Sequence, residues 1–132
     1  MRKTVFVVFM CAALLLAFSA PALWAMEAPK GDVVVKMDGG TPTKPTVKFP
    51  HAKHSAIDCK TCHHKLDSKP GVYKCNSAGC HDSTDPTDKT SPRSFWMAFH
   101  KGDSAHSCLG CHKKAKAEGK NPPIGCNQCH QQ

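Results

Sequence analysis

Four times in this chain a histidine directly follows the second cysteine of a close pair. The runs are Cys59-Lys60-Thr61-Cys62-His63, Cys75-Asn76-Ser77-Ala78-Gly79-Cys80-His81, Cys108-Leu109-Gly110-Cys111-His112 and Cys126-Asn127-Gln128-Cys129-His130. C-x-x-C-H is the attachment signature of c-type haem. The short separation lets two thiols reach the two vinyl groups of one porphyrin, and the next residue swings its imidazole under the iron. On this reading Cys59, Cys62, Cys75, Cys80, Cys108, Cys111, Cys126 and Cys129 hold four covalent haem c groups, and His63, His81, His112 and His130 are proximal iron ligands.

Other uses of cysteine fit less well. A zinc ribbon pairs two C-x-x-C knuckles into a tetrahedral set and has no need of a histidine after each. A secreted disulfide scaffold also wants an even count, but disulfide chemistry places no histidine after the second cysteine.

Nine histidines are present, so five remain after the proximal ligands: His51, His54, His64, His100 and His106. Four irons with two imidazoles each need only four more. An iron filled on both axial sides has no open position for oxygen or substrate, and its business is electron transfer. His64 follows His63 directly and points elsewhere, so it suits a second haem. His51 and His54 reach two different irons from one short segment, and His100 sits beside the aromatic residues Phe95, Trp96 and Phe99. His106 lies two residues before Cys108, too close to that haem for an unstrained approach, and is read as an exposed or hydrogen-bonded side chain. Met97 is read as packing.

The elements that must position these groups are short. Val33 to Met37 and Thr46 to Phe49 are β-type runs around Asp38-Gly39-Gly40, predicting a small hairpin. Beyond His51 the clusters alternate with turn-rich stretches such as Asp82 to Pro92 and Gly119 to Gly125. Two helices are predicted: one from Ser91-Pro92 through Phe99, stopping by Gly102, and one from Ser104 to Gly119. Lys113, Lys114 and Lys116 fall in the last turns of the second, where they suit the helix dipole. The fold class is a small multihaem cytochrome, mainly loops and short helices with an N-terminal hairpin, wrapped around its haems.

Residues 1–25 read as a cleaved export signal: Arg2 and Lys3, an apolar run from Val5 to Phe18, then small residues ending at Ala25. The run is short for a membrane span, so no stable insertion is expected. Cys11 leaves with the signal. The mature chain, residues 26–132, is one small domain that keeps eight cysteines in an oxidising compartment.

The chain has 132 residues and a formal charge of +8, which by itself suggests an acidic partner such as nucleic acid. The signal holds two basic and no acidic residues, leaving 16 basic against 10 acidic, or +6. Eight propionates and four ferric centres bring the oxidised holoprotein to about +2 and the reduced one to about −2. The basis for nucleic-acid binding disappears. A local feature persists, the cluster Lys101, Lys113, Lys114, Lys116 and Lys120 near the last two motifs, suited to an acidic protein partner.

The order of the clusters resembles that of the tetrahaem cytochromes c3 of sulfate-reducing bacteria, from His51 to His130. The matching residues are His51-x-x-His54, Cys59 to His63 with His64 next, the longer second motif Cys75 to His81, and His100 shortly before Cys108 to His112. The resemblance implies low-potential bis-histidine haems and sets the distal ligands. His51 would complete the haem of Cys59 and Cys62, His64 that of Cys75 and Cys80, His54 that of Cys108 and Cys111, and His100 that of Cys126 and Cys129. It implies a periplasmic, monomeric electron carrier rather than an enzyme, taking electrons from hydrogenase to membrane-associated redox complexes in sulfate respiration. The alternative is a multihaem terminal reductase of metals or oxyanions with one open iron.

Overall fold

The computed structural model describes residues 27–39, 42–68 and 70–131; the expected export signal lies outside the described residues. β1 (Asp32–Val35) and β2 (Val47–Pro50) pair antiparallel, with Asp32 opposite Pro50 and Val35 opposite Val47. The predicted hairpin is present, though its first strand ends before Lys36. The chain then turns toward Gly39, whose φ of 79° lies in the left-handed region open to glycine.

A single turn of 3-10 helix, His51–His54, follows β2 directly. Then come α1 (Cys59–Cys62), α2 (Phe95–His100), α3 (Cys108–Ala117) and α4 (Cys126–Cys129). Three of the four Cys-His motifs are therefore helical turns in themselves. The peptide N–H of His63 donates to the carbonyl of Cys59 at 2.8 Å, and that of His130 to Cys126 at 2.9 Å. The second motif has two more residues between its cysteines and keeps the same closure, His81 N–H to Cys75 carbonyl at 2.9 Å. Its extra length is taken up by a turn in which Gly79 adopts φ 76° and gives its N–H to the Asp82 carboxylate at 2.9 Å.

Both longer helices begin three residues later than predicted. For α2 the N-cap is Ser94, not Ser91, because the Ser91 hydroxyl donates to the Asp88 carboxylate at 2.6 Å. For α3 the N-cap is Ser107, since Ser104 instead accepts from the N–H of His106 at 3.1 Å. Each capping serine accepts from its own helix, Ser94 from Met97 and Ser107 from Gly110. Each also donates to a carbonyl of the loop before it, Ser94 to Asp88 and Ser107 to Lys101. At its other end α3 closes as a Schellman motif. Lys120 donates to Ala115 and Gly119, at φ 82°, donates to Lys116.

Among the described residues no hydrophobic side chain is buried, and the buried polar residues are the two capping serines, Ser94 at 0% and Ser107 at 3% exposure. Apolar burial normally supplies the main favourable contribution to folding, at about 25 cal/mol per Å². Here every described apolar side chain stays at least partly exposed.

Candidate haem-binding centres

The structure sorts eight of the nine histidines into four facing pairs. His51 and His63 have ring centres 6.5 Å apart and planes within 1° of parallel. His54 and His112 are 6.2 Å apart at 12°, and His100 and His130 6.1 Å apart at 7°. His64 and His81 are 6.0 Å apart but tilted by 44°. With a metal–imidazole bond of roughly 2 Å and about 1.1 Å from nitrogen to ring centre, two imidazoles on opposite sides of one metal have centres about 6.2 Å apart. The spacing fits an iron between each pair. Among the described residues no three His, Cys, Asp or Glu side chains gather as a metal cluster. Each facing pair would offer two imidazole ligands, leaving a porphyrin to supply the rest.

Backbone carbonyls orient the rings. Nδ1 of His54 meets the Pro50 carbonyl at 2.9 Å, that of His100 the Trp96 carbonyl at 2.9 Å, that of His112 the Pro123 carbonyl at 2.7 Å and that of His130 the Pro45 carbonyl at 2.7 Å. A carbonyl only accepts, so Nδ1 carries the proton and Nε2 keeps its lone pair free for a metal. Three of these four acceptors are prolines, which the sequence marks only as loop breakers. Nδ1 of His51 and of His81 is buried without a hydrogen-bond partner. Burial, then the neighbouring His63 and His54, push the His51 pKa down, favouring the neutral ring that ligation needs.

Aromatic rings brace the same imidazoles. Phe49 stands between His51 and His54, edge-on to the first at 4.8 Å and stacked on the second at 4.4 Å. The strand pattern gives Phe49 no role beyond the hairpin; its place one step before Pro50-His51 is the signal that points to one. Trp96 stacks on His100 at 4.9 Å, whereas Phe95 and Phe99 meet each other at 5.0 Å.

Burial raises the Cys108 thiol to about 11, helped by Cys62, Cys75, Cys129 and Cys111, so that every motif contributes. Cys62, Cys75 and Cys129 are likewise pushed up, first by burial. None of the eight forms a disulfide. At the fourth motif an open hollow of about 470 Å³ is lined by Lys44, Pro45, Asn127, His130 and Gln131.

Lys101, Lys113, Lys114, Lys116 and Lys120 are all exposed. Lys120 pairs with Glu118 at 3.2 Å, and the Lys113 side chain lies over Gly102. His106, which lies outside the four facing pairs, donates from Nδ1 to the Thr61 carbonyl at 2.7 Å and stacks on His64 at 4.9 Å.

Short elements with no buried hydrophobic side chain among the described residues, carrying four Cys-pair motifs and four facing imidazole pairs, define a multihaem c-type electron-transfer protein. The class III cytochrome c family matches residues 25–130. A cytochrome c3 from Desulfovibrio desulfuricans is 42% identical over 106 residues, covering 80% of this chain and 97% of that protein. One from Maridesulfovibrio salexigens is 45% identical over 112 residues, covering 84% of this chain and 94% of its own. Among solved structures, the di-tetraheme cytochrome c3 of Desulfovibrio gigas superposes with a TM-score of 0.69 at 37% identity, covering 81% of this chain and 100% of that one. The chain belongs to the class III cytochrome c family, and its cofactors are four c-type haems.

Proposed function

We propose that this protein is a periplasmic, low-potential electron carrier in which every haem iron has two histidine ligands, accepting electrons from hydrogenase and delivering them to membrane-associated redox complexes. Residues 1–25 serve as the export signal and residues 26–132 form the monomeric carrier. His51 and His63 serve the haem of Cys59 and Cys62, and His64 and His81 that of Cys75 and Cys80. His54 and His112 serve the haem of Cys108 and Cys111, and His100 and His130 that of Cys126 and Cys129.

The observation that carries this reading is the sorting of eight imidazoles into four pairs at 6.0–6.5 Å. A bound haem supplies a one-electron ferric–ferrous couple. The chain does the rest. The paired imidazoles would fill the two iron positions a porphyrin leaves open, and two nitrogen ligands favour the ferric state more than a methionine would. Carbonyl acceptors at Pro45, Pro50, Trp96 and Pro123 hold the rings in one tautomer and one orientation, limiting rearrangement between oxidation states. The exposed lysines at 101, 113, 114, 116 and 120 set a positive end that attracts an acidic partner.

The test is the ferric protein's electron paramagnetic resonance spectrum together with its response to carbon monoxide once reduced. Four low-spin centres and no carbon monoxide binding are expected. A high-spin centre that takes up carbon monoxide would replace the carrier with a reductase having one open iron.

A further inference from the structure

His106 belongs to none of the facing pairs, yet it is held as firmly as their members. Its Nδ1–H is given to the Thr61 carbonyl at 2.7 Å, which fixes the rotation of the ring. Its own peptide N–H goes to the Ser104 hydroxyl at 3.1 Å, which fixes its backbone. The ring so anchored lies against His64, centres 4.9 Å apart and planes 22° from parallel. Thr61 sits between Cys59 and Cys62, His64 faces His81, and His106 itself stands just ahead of Cys108. One imidazole therefore ties together segments of the first three motifs.

The pair it touches is the pair that differs from the others. His64 and His81 are tilted by 44°, against 1°, 12° and 7° for the remaining three. An imidazole bound to a metal keeps one free motion, rotation about its metal–nitrogen bond, and a flat ring packed on its face limits that rotation. We propose that His106 is a positioning residue that sets the plane of the His64 ring, and through it the ligand field of the second haem. The inference rests on the assignment of His64 and His81 as that haem's ligands. It gives the surplus histidine a task that requires no metal contact of its own.

The angle between two axial imidazole planes governs the splitting of the iron d orbitals in low-spin ferric haem, and so the anisotropy of its resonance signal. The full-length, haem-loaded protein with His106→Ala should show one of four low-spin signals displaced and three unmoved. His106→Phe, which keeps a flat ring beside His64, should bring that signal back toward its original position. An alanine spectrum superimposable on the unmodified one, or a phenylalanine variant displaced as far as alanine, overturns the role. Should the alanine variant fail to accumulate, haem-methyl nuclear magnetic resonance shifts of the unmodified oxidised protein decide the matter. They should report twisted ligand planes at the haem of Cys75 and Cys80; nearly parallel planes there overturn it. A high-spin centre in the unmodified protein overturns the ligand assignment and this role with it. Four low-spin signals indifferent to position 106 sink the positioning role alone.

Discussion

His100 faces His130 with ring centres 6.1 Å apart and planes 7° from parallel, each ring fixed by a different part of the chain. His100 is held from within its own helical turn by the Trp96 carbonyl, and His130 by the Pro45 carbonyl just ahead of β2. The loop of the N-terminal hairpin thus orients a ring of the last motif.

Removing one ring of this pair should open one centre and spare three. His100→Ala is expected to convert one of four low-spin signals to high-spin and to let one haem in four bind carbon monoxide when reduced, read by optical titration. His100→Met should keep that centre low-spin while raising its potential, because a thioether favours the reduced iron more than an imidazole does. Loss of more than one low-spin signal in the alanine variant would contradict the pairing.

Gly110 has no room for a side chain. A Cβ there would run into the Ser104 carbonyl oxygen and lie 2.9 Å from that of Lys101, both backbone atoms. Gly110→Ala should lower stability by about 1–3 kcal/mol through overpacking, and displace the turn that carries Cys108 and Cys111. Ser107→Ala removes the N-cap of α3 at a cost of about 1 kcal/mol. Thermal unfolding of the haem-loaded variants checks both, and an alanine at 110 that unfolds with the parent would refute the close approach.

Stability should fall in acid through the loop that leads to α2. The Ser91 hydroxyl and N–H hold the Asp88 carboxyl down to about 2. Arg93, with its bond of 2.8 Å, and the Gly79 N–H hold Asp82 well below the usual range. A carboxyl depressed in the folded state contributes stability that is complete above its unfolded value of about 3.9 and is lost as pH falls through the folded one. Melting temperature should therefore show no loss from these groups down to about pH 4 and then decline toward about pH 2. Asp88→Asn should decline less steeply over the same interval; identical acid limbs would show that the Ser91 bonds contribute nothing.

The lysines of α3 should matter for rate rather than for fold. Reversing both Lys113 and Lys114 to Glu is expected to slow reduction by an acidic partner about tenfold or more at low ionic strength, with the difference vanishing toward about 1 M salt. Stopped-flow reduction with hydrogenase measures this, and equal rates at low salt would remove the lysine-rich end from the docking surface.

Local spacing is enough to make the attachment motifs legible. Five consecutive residues, Cys59 to His63 for example, bring two thiols and an imidazole together by a single helical turn, whatever surrounds them. The hairpin and the end of α3 are equally readable, from strand-forming runs around a glycine turn and from Gly119 after the last lysines. The helix starts are not, because two serines near each start compete to cap and the loop's own hydrogen bonds select between them. Ser91 is drawn to Asp88 and Ser104 to His106, which leaves Ser94 and Ser107.

The sequence by itself thus determined the number and kind of attachment sites and the supply of imidazoles, since both follow from residues that are neighbours along the chain. Which imidazole stands opposite which was legible only through the family resemblance, and the tertiary structure alone decided the plane each ring adopts and the use made of His106. His54 pairs with His112 across two intervening Cys-His motifs, and His106 reaches back 45 positions to Thr61. Contacts of that range depend on the path of the whole chain, and ring planes depend on carbonyls and neighbouring rings that it brings alongside.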